Sequence, residues 1–169
     1  MEFGESPFSI FIGDSVCSRH DADGPDLATP VVIRFYVVVD GHVFPHPCWD
    51  DFAIVVLSGW MQRLREAILT KQKETLLRFM EGPYSVRLSF ANEGSVRFTE
   101  LVNEVEQPGL SARGVLPLRC FVARIAQSAK QAGRVARQAR SGAADLKLLR
   151  AEMRRWNRVA QLRRILEST

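Results

Sequence analysis

The chain has 169 residues, 46% apolar and 25% charged, an average globular composition that argues against wholesale disorder and allows a core without disulfides or metal. Its longest apolar run, Phe52 to Leu57, is far shorter than the ~18 residues a membrane span needs. A net charge of +4 hides an asymmetry: residues 1–111 carry 9 Lys/Arg and 16 Asp/Glu, residues 112–169 carry 14 and 3, and 12 of those 14 are arginine.

Phe8, Ile10 and Ile12 suggest a first strand, followed by a polar loop from Gly13 to Pro30. Val31 to Val39, rich in β-branched residues, reads as a central strand. Asp40-Gly41 is a two-residue hairpin turn, and the return strand, His42 to Phe44, must be short because Pro45 and Pro47 cannot donate to a ladder. Asp50 or Asp51 then suits the N-cap of a helix of about 20 residues, with Trp49 and Ile54 placed as a hydrophobic staple. Ala53, Val56, Leu57, Trp60, Leu64 and Ile68 form its apolar stripe, and Gly59 suggests a close approach to the sheet.

Thr75 to Met80, Tyr84 to Ala91 and Ser95 to Val102 read as a three-stranded antiparallel meander, with a clean period of two at Tyr84, Val86, Leu88 and Phe90. Residues 107–114 are the expected boundary between a net acidic sheet region, 1–111, and a basic helical hairpin, 112–169, packed on the same domain. Pro117 opens a helix with a stripe at Leu118, Val122, Ile125, Ala129, Ala132, Val135, Ala136 and Ala139. Ser141-Gly142 breaks it, and a second helix runs from about Ala144 to Leu166, with Leu149, Met153 and Trp156 inward. No internal repeat is legible. The expected fold is α+β: one antiparallel sheet of five to six strands with one packed helix, then a C-terminal αα-hairpin.

Catalytic and cofactor motifs are lacking. His42, His46 and Cys48 are of metal-ligand type, but they have neither CxxC nor HExxH spacing, so a plain turn is expected there. The acidic loop at Asp21, Asp23 and Asp26 has its glycine misplaced for calcium. Cys17, Cys48 and Cys120 are too scattered for a disulfide framework, and the first ten residues have no Lys or Arg to begin a secretory signal. These features lead to the expectation of a cytoplasmic protein with reduced thiols, no cofactor and no enzymatic activity.

The late cations admit two readings. They fold back on the acidic part of the chain, or they form a face for an acidic protein or for nucleic acid. The helices look too long for a helix-turn-helix, and aromatics for base stacking are lacking.

Phe44-Pro45-His46-Pro47-Cys48-Trp49-Asp50-Asp51-Phe52, then Val56-Leu57-Ser58-Gly59-Trp60 and Leu64, and finally Phe79-Met80-Glu81-Gly82-Pro83-Tyr84 form a recognisable set. Across about residues 30–102 this resembles small bacterial families of the polymorphic-toxin immunity type. The resemblance implies a non-catalytic protein that binds a toxin and neutralises it. Candidate contacts are Asp50, Asp51 and Glu66 on the acidic side, or Arg134, Arg137, Arg154, Arg155 and Arg158 on the basic side. Nucleic-acid binding through the Arg-rich helices is the alternative.

Overall fold

The computed structural model describes residues 8–16, 31–91, 94–103, 105–106, 113–140, 143–159, 162 and 164. The α+β class holds, but the strands divide between two antiparallel sheets rather than joining one. The first sheet holds β1 (Phe8–Val16), β2 (Ile33–Val39), β3 (His42–Phe44) and β4 (Asp50–Asp51). In the second are β5 (Glu74–Arg78), β6 (Tyr84–Phe90), β7 (Ser95–Val102), β8 (Val105–Glu106) and β9 (Arg113–Pro117). Three helices follow strands or one another: α1 (Ala53–Leu69), α2 (Leu118–Gln138) and α3 (Ala143–Arg158).

The expectation of one packed helix is likewise replaced, because α1, α2 and α3 all contribute to one core with both sheets. Phe8 of β1 lies 5.7 Å from Phe98 of β7 and 4.9 Å from Phe121 of α2, measured between ring centroids. Such contacts explain the division. The apolar faces of β1 and β2 are satisfied by packing across the core, not by extending one ladder.

Two stretches of chain have the same topology. In the first, β2 pairs on one side with β1 and on the other with β3 and β4, two pieces of one interrupted strand. In the second, β7 pairs with β6 and with the pieces β8 and β9. Each unit leads straight into a helix, α1 or α2. The first has a two-residue turn closed by Val39↔His42, with positive φ at Asp40 and Gly41; in the second Val102 pairs with Val105 and Asn103 has positive φ. The sequence shows no trace of this repeat, because the two units share pairing order and not residues.

The stripe predicted for α1 is buried, Trp60 included, and the Trp60 indole donates to the Arg78 carbonyl at 2.7 Å. Neither Asp50 nor Asp51 caps α1. The N-cap position is Phe52, with no side-chain hydrogen bond, and the aspartates form β4 opposite Arg34 and Ile33. Trp49 packs against Tyr84 at 4.9 Å. A Cβ on Gly59 would meet nothing within 4 Å, so no close contact explains that glycine. Strand β9 occupies part of the expected boundary, and Pro117 ends it before α2 begins. The boundary residues 107–112 and the Ser141-Gly142 break lie outside the described residues.

Helix α3 is held to α1 by two buried polar contacts. The Trp156 indole donates to the Met61 carbonyl at 2.7 Å. Glu152, 3% exposed, accepts from Arg65 Nε at 2.7 Å and from Arg155 at 3.0 Å. Arg65 is mostly covered, whereas Arg155 is open to solvent. Removing the covered partner leaves a buried carboxylate poorly compensated, so Arg65→Ala should cost about 2–4 kcal/mol. Arg155→Ala should cost less than about 1 kcal/mol. Urea unfolding of the two variants checks the order; equal costs would mean that Glu152 is hydrated.

Candidate functional site

Asp50 and Asp51 are neighbours on a strand and therefore point to opposite faces. Asp50 pairs with Arg34 Nε at 3.1 Å on the outer face of the first sheet. Asp51 is fully buried and accepts four hydrogen bonds: Phe52 N at 2.7 Å, Met80 N at 3.1 Å, Glu81 N at 3.3 Å and Trp49 Nε1 at 3.3 Å. Its carboxylate ties the edge of the first sheet to the turn between β5 and β6. Gly82 in that turn has φ +66°, and a Cβ there would stand 2.9 Å from the Tyr84 ring and 3.0 Å from Trp49. Glu66 is half-buried on α1 and accepts from Gln62 at 3.0 Å. The three acidic candidates thus do not share a surface, and Asp51 is committed to the interior.

Burial pushes the Asp51 carboxyl above its ordinary value of 3.8, against the opposing pull of its Trp49, Phe52, Met80 and Glu81 hydrogen bonds.

His42 and His46 have separate partners. His42 Nε2 lies 3.1 Å from Glu100 Oε2, a carboxylate 3% exposed, bridging the edge of the first sheet to β7 of the second. His46 Nδ1 accepts from the Cys48 backbone N–H at 3.0 Å. Among the described residues no three His, Cys, Asp or Glu side chains gather as an ion would require. Cys17, His20, Asp21, Asp23 and Asp26 lie outside the described residues.

The basic candidates do come together. In α2 the side chains of Phe121, Val122, Ile125, Ala129, Ala132 and Ala136 are buried, which turns Arg119, Lys130, Arg134 and Arg137 outward. Burial of Leu146, Leu149, Glu152 and Trp156 does the same for Lys147, Arg150, Arg154, Arg155 and Arg158 of α3. The helices meet closely at Gly133, where a Cβ would lie 3.5 Å from Leu149 and 3.7 Å from Leu146. Helix α2 has no acidic residue; of the two of α3, Glu152 is buried and takes Arg65 of α1, and Asp145 is partly covered. Of the cations on this face, only Arg155 pairs with a carboxylate among the described residues.

Away from Gly133 the helices splay. A groove of about 390 Å³ opens there, with Ala123, Ala126, Gln127 and Lys130 on one wall and Met153 and Asn157 on the other. Met61 and Trp156 line its floor. Sequence reasoning missed the groove. The available hint was that Ala123 and Ala126 lie off the core stripe of α2 yet are too small to shield it.

Comparison of the chain with protein-family models, curated proteins and solved structures gave no significant match. No helix among the described residues is long and apolar enough to cross a membrane.

Asp51→Asn turns an amide toward two of the four donors, and each donor left unsatisfied costs about 1–3 kcal/mol, so a loss of at least about 2 kcal/mol is expected at pH 7. Because the folded state holds the Asp51 proton more tightly than the unfolded chain, the wild type gains stability as pH falls through the raised value toward 3.8. Its advantage over the Asn variant, read from urea unfolding, should therefore widen on acidification. A narrowing advantage would show that the fold favours the carboxylate.

Proposed function

We propose that this chain is a non-catalytic binding protein that works through the basic α2–α3 face, as an immunity-type inhibitor seated on an acidic surface of a toxin. The observation that carries the reading is the exposed set Lys130, Arg134, Arg137, Lys147, Arg150, Arg154 and Arg158, none paired with a carboxylate among the described residues. If the basic segment served only to neutralise the acidic part of its own chain, ion pairs should run from these cations to that part. The buried pair joining the two parts runs the other way, from Arg65 on α1 to Glu152 on α3. Guanidinium groups free of internal partners keep their planar donor forks for carboxylates of another molecule. Of the acidic candidates, Asp51 is buried, Asp50 pairs with Arg34 and Glu66 accepts from Gln62, so they form no common face, which supports the basic side as the contact.

The same face would also follow a phosphate backbone, since none of its described cations but Arg155 pairs with a carboxylate. A protein partner is the better reading because the face offers no exposed aromatic for bases; Trp156 is 1% exposed.

The test is a pull-down from the native host at moderate salt, with wild type and with Arg134→Glu/Arg154→Glu. The wild type should retain one protein in stoichiometric amount, and the variant, folded by circular dichroism, should bind it about tenfold or more weakly. The reading fails if the wild type brings down no protein but nuclease-sensitive nucleic acid, released above roughly 0.3 M salt.

A further inference from the structure

We infer that the groove between the splayed halves of α2 and α3 receives apolar side chains of an acidic amphipathic helix supplied by the partner protein. This rests on the reading of the α2–α3 face as the contact surface and adds where on that face the partner anchors and with what chemistry.

The shape follows from residue size along α2. At Gly133 the helix has no side chain, and Leu146 and Leu149 of α3 close against it. One to three turns earlier, Lys130, Ala126 and Ala123 face the same side, while α3 offers Met153 and Asn157. Two alanines cannot bridge the widening gap, so the groove stays open above Met61 and Trp156. Ala123 to Lys130 spans about 10 Å of helix axis, at about 1.5 Å per residue. Two bulky side chains one turn apart on a partner helix lie about 5–6 Å from each other and fit that length. Met153 on the wall is unbranched and adapts to branched apolar groups above the Met61 and Trp156 floor.

Charge selects the occupant. Lys130 lines the groove; by the 100° turn per residue Arg119 and Arg134 fall within about 40° of it on α2, and exposed Arg150 and Arg154 fall within about 60° of Asn157 on α3. With these cations around it and no carboxylate lining it among the described residues, the groove repels basic segments and favours an apolar stripe flanked by Asp and Glu. Hot-spot contacts of this kind pair a buried apolar anchor with a ring of charge.

The probe is a fluorescein-labelled 16-residue helix with leucines at i, i+3, i+4 and i+7 and glutamates on the remaining face, measured by anisotropy against the full chain. Saturable binding is expected, weakened about tenfold or more by Leu→Ser in the peptide, by Ala126→Trp, which fills the groove, and by Lys130→Glu/Arg154→Glu. Ala123→Leu, a smaller change in the same wall, replaces Ala126→Trp if that variant does not fold. The groove proposal is overturned if no peptide binds, or if the Leu→Ser peptide and the groove-filled variant bind as well as their parents. It is also overturned if a duplex DNA displaces the peptide while ignoring Ala126→Trp, or if the chain self-associates and Ala126→Trp disperses it. Failure here while the host pull-down still distinguishes wild type from Arg134→Glu/Arg154→Glu removes the groove and keeps the face. Failure of both removes the face.

Discussion

One buried carboxylate joins the parts of this fold that lie far apart in sequence. Asp51 closes the edge strand of the first sheet, precedes α1, and accepts the backbone N–H groups of Met80 and Glu81 in the turn of the second sheet. Around it Trp49 stands on Tyr84, Phe44 on Phe79, and Phe79 on Trp60. A carboxylate tolerates full burial when every lone pair meets a donor, and four donors converge here. Phe44, Trp49, Asp51, Trp60, Phe79 and Tyr84, the aromatic and acidic part of the segment that carries the immunity-type resemblance, belong to this cluster. Packing alone accounts for those six residues.

Much of the local structure was legible. The α1 stripe is buried as its spacing demanded, the Asp40-Gly41 turn has positive φ at both residues, and Val86 and Leu88 point inward from the alternating strand. What the sequence concealed is decided over long range. Asp50-Asp51 before an apolar run has the look of a helix cap. Only the ladder to Ile33 and Arg34 makes it a strand, with one aspartate inside and one outside. Val115 and Leu116 were hidden by Pro117, which suits both a helix start and a strand end. The division into two sheets depends on Phe8 meeting Phe98 and Phe121, contacts across about 90 to 110 residues that no periodicity encodes.

The paired topologies, each a meander with an interrupted last strand and then a helix, explain how a chain of this length supports two sheets. Each interrupted strand lets one edge pair with both ends of β2 or β7. The first interruption stays tethered, since the Phe35 N–H donates to the Trp49 carbonyl at 2.8 Å. The helices then cross between units: α2 of the second packs on β1 of the first, and its Gln131 side chain donates to the Ile12 carbonyl at 3.1 Å. Neither unit completes its core alone.

Helix α3 stands outside that duplication, and its attachment shapes the basic face. Trp156 and Leu149 supply the apolar contact, and Glu152 supplies a carboxylate that faces α1 and takes Arg65. Had Glu152 pointed toward α2, it would have neutralised the adjacent cations. It is buried against α1 instead, and the exposed cations on the two sides of the α2–α3 seam repel one another. That repulsion is tolerable where solvent screens it within about 8–10 Å, and it is relieved when carboxylates or phosphates of another molecule arrive. A surface of this kind adds nothing to the stability of the isolated chain. Its charge pattern is the feature on which the proposed contact with an acidic partner rests.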